Sequence, residues 1–428
     1  MRSRYIFPYL LLGVCGFALS CGQNVQQKGN DIPQSIGDAP AVRLNYRYEA
    51  DVPPPVLEDE RRSDAERNTS VQADFDNARP QELLDRTITS PDKKRVVAVY
   101  RNAADQPSDV RLDMYSSEGK LLHKVTSDAM AGRFPDTILW SPDSKSLAFV
   151  AVNRTIGLNT QLPSTPAPTP PDPNLPDTGE TPTPTPERAP TPAAPTGILT
   201  FRTEQIYICD ADGAGVRPVT QNEGLIYFYF VWSPNNSMLA AVASTAREWR
   251  YQEIVSEGKG EIMVPQGRLR TVEKNGRERR LDDNLTAVHP VWSPDSAKVA
   301  VSYDAQIRIY DAGGTNPTQA AIPLKNQLLI SSQAYDRDQQ RKLQSSNSGG
   351  EGNAPMPTPS SPEQASSTLP DEKLLVSYNP IVRLAWTADD ILYLETAYEK
   401  RMKNDPEVTS FARWHRLILT PQPAGTAK

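Results

Sequence analysis

Histidine and cysteine are scarce in this chain, three of each, and the scarcity removes most of the chemistry that depends on them. His123, His289 and His415 stand far apart and read as strand or turn residues rather than as ligands. Cys15 and Cys21 belong to the first two dozen residues, so Cys209, alone in an apolar run, has no partner for a disulfide in the body. A G-x-S-x-G elbow, an H-E-x-x-H pair, a P-loop and spaced cysteine pairs are all missing. Asp210-Ala211-Asp212-Gly213 has the start of a calcium loop but lacks its other oxygen ligands and its closing glutamate, so no metal and no cofactor is expected. Lysine and arginine are scattered, and the formal net charge of -6 becomes more negative once Arg2 and Arg4 leave with the leader, which argues against nucleic acid as a partner. Apolar content is 38%, whereas proline is abundant at 40 residues, about twice its ordinary share. Part of the chain therefore lies outside any core.

Residues 1–20 join a basic start, Arg2 and Arg4, to an apolar stretch from Tyr5 to Leu19, the layout of a secretory signal. That stretch is too short for an ordinary spanning helix. Ala18-Leu19-Ser20-Cys21-Gly22 resembles the bacterial lipobox, in which a small residue precedes a lipidated cysteine. The resemblance implies an exported protein anchored to a membrane through Cys21. Each buried methylene contributes about 0.8 kcal/mol, so several acyl chains would hold it essentially permanently. Gly22, rather than aspartate, resembles the sorting rule for the outer membrane. The expected location is that membrane, facing the periplasm, in a diderm bacterium and the outer face of the cell membrane otherwise. Residues 21–40 are polar and read as a flexible tether.

Repetition is the strongest signal in the body. Trp140-Ser141-Pro142-Asp143, Trp232-Ser233-Pro234-Asn235 and Trp292-Ser293-Pro294-Asp295 are each followed by a short apolar run. Thr89-Ser90-Pro91-Asp92 is a fourth copy without the tryptophan, and Trp386-Thr387-Ala388-Asp389 a fifth without the proline. Proline presets φ for a turn and Asp or Asn bonds its own backbone two residues on, so each unit predicts strand, turn, strand. A second hairpin follows, with its own turn at Ser117-Glu118-Gly119, Asp210-Ala211-Asp212-Gly213, Lys274-Asn275-Gly276 and Asp311-Ala312-Gly313-Gly314. A four-stranded sheet cannot bury both faces alone, so the copies must pack as blades.

These residues resemble the TolB-like propeller repeat, a relative of WD repeats, over most of residues 85–420 outside the insertions. The fold expected is all-β, a β-propeller of four-stranded blades, five legible and a sixth open, with proline-rich disordered insertions. The chain departs from the pattern by placing Ser144, Asn236 and Ser296 where the family has glycine, which leaves the turn geometry open. Closure of the ring requires a strand near Val42–Tyr48 to return to the last blade, because an unpaired edge invites aggregation. Residues 41–86 form an acidic lead-in that holds this strand, residues 87–420 the propeller, and residues 421–428 a tail. Low-complexity insertions are expected at about 160–197 and 333–372.

By blade topology, the Pro/Thr segment, the segment from Thr245 to Gln266, the later Ser/Pro/Gly segment and the acidic lead-in all emerge on one rim, leaving the Ser-Pro-Asp rim plain. Loops carry binding more often than scaffolds do, so the decorated rim is the expected interaction surface. Tyr227, Tyr229, Trp249 and Tyr251 are its candidate aromatic residues, with packing between blades as their other reading. The basic group Arg268 to Arg280 reads as a solvated strand face. The function expected is a non-catalytic module that binds another envelope protein or a peptide, or serves as an envelope scaffold. An enzyme, whether a lyase or hydrolase using the channel or an accessory subunit of a peptidase, needs ionisable residues converging on that channel, and spacing alone does not bring them together.

Overall fold

The computed structural model describes residues 35–57, 67–102, 108–153, 204–347, 377–400 and 409–422. Cys21 and its leader, the whole Pro/Thr segment and residues 348–376 lie outside the described residues. Within them the strands make five antiparallel sheets, four of them built from consecutive strands and the fifth joining the first strand of the chain to the last ones. Blade one is Glu82–Thr89, Arg95–Asn102, Arg111–Ser116 and Leu121–Lys124. In blade two the inner strand comes in two pieces, Met130–Arg133 and Leu139–Trp140, both paired with Ser146–Asn153; Gln205–Asp210 and Arg217–Pro218 follow. Blade three is Leu225–Trp232, Met238–Thr245, Arg268–Glu273 and Glu278–Arg280, and blade four is Val291–Trp292, Lys298–Tyr303, Gln306–Asp311 and Gln319–Pro323. Blade five takes Ile381–Ala388, Ile391–Lys400 and Thr409–Pro421 from the end of the chain and its outer strand, Leu44–Glu49, from the beginning, in a register from Leu44 opposite Pro421 to Glu49 opposite Arg416. The fold is a β-propeller.

Second strands are buried on both faces and read as unbroken apolar runs for that reason. Val97 and Val99 point toward Leu147 and Phe149 of blade two, whereas Val96 and Ala98 point the other way. The same alternation sends Leu147 and Phe149 to blade one and Ala148 and Val150 to blade three. Blades three and four meet through Ala240, Leu269, Val299 and Val301; blades four and five through Ala300, Ile309, Leu392, Leu394 and Leu417. Among the described residues no apolar cluster combines blades one and five. The free flank of blade one, Leu84, Val96, Ala98, Tyr100 and Tyr115, is covered instead by Val71 and Phe75 of helix α1 (Thr69–Ala78).

The Ser-Pro-Asp turns repeat atom for atom. In blade two Ser141 Oγ donates to Asp143 Oδ1 at 2.6 Å, and the backbone N–H groups of Lys145 and Ser146 donate to Asp143 Oδ1 and Ser141 Oγ at 3.1 and 3.0 Å. The open question of turn geometry is answered by the next residue. Lys93, Ser144, Asn236 and Ser296 all adopt the left-handed region, with φ of 60, 61, 63 and 64°. Glycine is the ordinary occupant of such positions. Here three of the four side chains do something glycine could not: Ser144, Asn236 and Ser296 each accept, at 3.0 Å, the backbone N–H of Asp92, Asp143 and Asn235 in the preceding blade. The indoles of Trp140, Trp232 and Trp292 donate the same way, to the carbonyls of Ile88, Leu139 and Val231 at 3.2 Å.

Helices occupy three places read as loops. The segment from Thr245 to Gln266 holds α2 (Ala246–Lys259), the acidic lead-in holds α1, and the expected low-complexity region from residue 333 begins inside α3 (Lys325–Asn347). Leu328, Ser331 and Ser332 bury one side of α3. The tether is also shorter than expected, because Ile36, Ala39 and Ala41 are buried against blades four and five.

Candidate interaction surface

Helix α2 connects the second and third strands of blade three, so consecutive antiparallel pairing places it on the rim opposite the Ser-Pro-Asp turns. Its start is fixed by Thr245-Ala246-Arg247-Glu248, a capping box in which Thr245 Oγ1 accepts the Glu248 N–H and Glu248 accepts the Thr245 N–H. Glu248 also accepts from Arg268 at 2.7 Å; this bond, with those of Thr245, holds its carboxyl down at about 2. On the inward side Trp249 packs its ring 5.6 Å from Phe134 and 5.5 Å from Phe228, and its indole donates to Glu253 at 2.8 Å. Gly260, with φ of 67°, ends the helix, and Gln252 pins the segment that follows through two bonds to the Gln266 backbone at 3.0 and 2.7 Å.

On this fixed support stand four exposed apolar side chains. Tyr251 is 70% exposed and Ile254 53%, three residues apart and hence on one side of the helix, while Ile262 and Val264 beyond it are 92% and 63% exposed. Single exposed apolar residues need no explanation; here four lie within fourteen positions of the chain, among the exposed Arg247, Arg250, Glu257 and Lys259.

The four aromatic candidates do not come together as one exposed patch. Only Tyr251 is open to solvent. Tyr227 is fully buried between blades two and three, where its hydroxyl donates to Glu278 at 2.8 Å and burial raises its pKa. Trp249 is packed as described, and Tyr229 stacks on His289 with ring centroids 3.6 Å apart. A β-bulge between Tyr227 and Tyr229 shifts the alternation of the inner strand, and this places Tyr227 in the same blade interface as Phe230 and Trp232. The sequence reading passed over Ile254, Ile262 and Val264; for Ile254 the S/T-x-x-E signature at Thr245 was the signal that a helix would present it. The basic hairpin is likewise not a bare cationic face, since Arg268, Arg270 and Arg280 pair with Glu248, Glu278 and Asp283.

Ionisable side chains also gather at two polar sites. A recess of about 420 Å³ between blades three and four is lined by Arg280, Asp282, Asp283, Asn284, Arg308 and Gln319. Its charges pair with one another, Arg280 with Asp283 at 2.8 Å and Arg308 with Asp282. Burial works to raise the Asp282 carboxyl, but bonds from Tyr310, the Asn284 N–H and Arg308 outweigh it and keep the group ionised. In the second site, on the blade-four side of blade five, Arg413 grips both oxygens of Asp51 at 2.7 and 2.6 Å and donates to the Ser331 carbonyl at 3.0 Å. His415 takes the Tyr48 hydroxyl and the Asp51 N–H on Nδ1, at 2.9 and 3.3 Å, with Nε2 3.1 Å from Thr396 Oγ1. Burial, aided by the charge of Arg413, pushes its pKa down to about 4. A neutral, fully buried imidazole has no path to a substrate; it joins the first strand to the last.

No family description matches the chain, and no curated protein does. Solved structures share only weak likeness. An oligogalacturonate lyase in complex with manganese is 12% identical over 54% of this chain and 51% of its own, with a TM-score of 0.30. Prolyl oligopeptidase B from Galerina marginata, bound to a 25mer macrocyclization substrate, is 9% identical over 90% of this chain and 45% of its own, at 0.36. A nidogen/laminin complex is 7% identical over 78% of this chain and 83% of its own, at 0.29. The chain thus spans about half the length of the first two. At such scores the fold rests on the strand pairing described above.

Proposed function

We propose that the chain is an exported lipoprotein, anchored through Cys21, whose TolB-like propeller is a non-catalytic module that binds another envelope protein or a peptide. The reading of Cys21 rests on the lipobox-like residues at 18–22. The binding role is carried by one observation: Tyr251 and Ile254 stand exposed on a helix whose cap and indole are fixed, and Ile262 and Val264 stand exposed on the segment after it, which Gln252 pins at Gln266. An ordered surface gives up little conformational entropy when a partner lands on it, so its apolar area counts toward affinity. Polar recesses whose charges neutralise one another support binding and architecture rather than proton transfer.

Photo-crosslinking in cells from Tyr251 tests the surface, with Lys145 on the opposite rim as control. A defined adduct at position 251 that disappears with Ile254→Ser and Ile262→Ser, at unchanged melting temperature, is the expected result. Adducts at 145 alone, or none at either position, would remove the binding role. Cys21→Ser is expected to move the protein from the membrane pellet to the soluble fraction.

A further inference from the structure

The first described residues show where the chain leaves the propeller. Residues 36–42 lie against the turns of blade four. A side chain at Gly37 would collide with Asp295, and Ile36, Ala39 and Ala41 are buried. Lys298, 1% exposed, donates its ammonium to the Ala39 carbonyl at 2.7 Å and to Asp311 Oδ1 at 2.8 Å. Asp311 Oδ1 also accepts the Ala41 N–H at 3.0 Å, while Thr318 Oγ1 accepts the Val42 N–H at 3.1 Å and gives its own proton to Asp311 Oδ2. Arg95, Ser146 and Met238 occupy the place of Lys298 in blades one to three, and the second strand of blade five starts at Ile391, so the buried ammonium belongs to this one contact. A buried lysine is tolerated only when its charge and protons are met, and here the N-terminal segment meets them.

Asp295, Asp311 and Thr318 all sit at hairpin turns of blade four, on the plain rim, and α2 sits on the other rim. The two rims are separated by strands such as Met238–Thr245, eight residues at about 3.3 Å each. Fourteen residue steps join Cys21 to Ser35, a reach of at most about 50 Å, and it begins at the plain rim.

We infer that the anchored propeller stands with its Ser-Pro-Asp rim toward the bilayer and α2 away from it, so that Tyr251, Ile254, Ile262 and Val264 meet a protein and not lipid. The inference rests on the anchoring of Cys21 proposed above. It commits the apolar surface to one occupant, an apolar-faced protein approaching from the side opposite the membrane.

The test uses the full-length acylated protein in phosphatidylcholine/phosphatidylglycerol vesicles that carry an acceptor dye on the headgroups. Donor dyes are placed by Lys145→Cys on the plain rim and by Gly258→Cys on α2, where a side chain meets open space. Cys209 is buried and stays unlabelled. A larger loss of donor emission at position 145 than at 258 is the expected result. Equal loss, or greater loss at 258, overturns the orientation while leaving the anchor intact. Failure of both labelled proteins to float with the vesicles, as Cys21→Ser fails, overturns the anchor and the orientation with it.

Discussion

Ser144, Asn236 and Ser296 accept a backbone conformation that costs a side chain roughly 1 kcal/mol, and each returns a hydrogen bond to the neighbouring blade of similar worth. The two effects separate by substitution. Ser144→Ala keeps the strain and leaves the Asp92 N–H without its acceptor, so it is expected to destabilise the protein by about 1–2 kcal/mol in urea unfolding. Ser144→Gly relieves the strain as it loses the bond and is expected to change stability by less than the alanine variant does. Equal losses for the two variants would show that the strain contributes nothing, and an alanine variant as stable as the parent would show that the bond contributes nothing. His415 gives a second residue-scale outcome. Its folded pKa, about 4, lies below its ordinary value of 6.5, so the unfolded chain binds the extra proton between those limits. Stability from this group is complete above pH 6.5 and is lost as pH falls toward 4, by an amount on the order of 3 kcal/mol. Tyr48, Asp51 and Arg413 face the ring and remain in place in His415→Asn, which is expected to flatten this part of the pH profile relative to the parent.

Among the elements, the first strand and the last blade depend on each other. Leu44–Glu49 pairs the edge of Thr409–Pro421, and the residues before it fill the niche around Lys298. Lys298→Met leaves Asp311 without its cation and is expected to cost about 3–5 kcal/mol. Deleting residues 35–50 behind an intact leader is expected to lower the melting temperature sharply, and a deletion that melts with the parent would refute the pairing. Returning strand and turn units were legible beforehand because turn chemistry is local. Helices α1 and α2 were not assigned, although Asn68 and Thr245 carry capping side chains, because each occupies a segment whose composition is polar and whose apolar residues are few.

At the scale of the whole molecule, the described residues form four apolar interfaces in series, from blade one to blade five, with α1 covering the open flank of blade one. In such an arrangement each unit is supported mainly by its neighbours. Phe75→Ala, which empties the space between α1 and blade one, is expected to cost about 3–5 kcal/mol locally. Hydrogen exchange should then rise most in residues 82–124 and least in blades four and five, whereas a uniform rise would mean that the blades unfold as one unit.

The repeated turns and the apolar second strands needed only the sequence, because a proline, an aspartate or an apolar run acts within a few residues of itself. Tertiary packing decided the rest. Whether Tyr227 is buried and Tyr251 exposed depends on which blade lies beside each, and the meaning of Lys298 depends on a segment 259 positions away. Contacts over such distances follow from how whole sheets stack, and neighbouring residues in the chain carry no record of that.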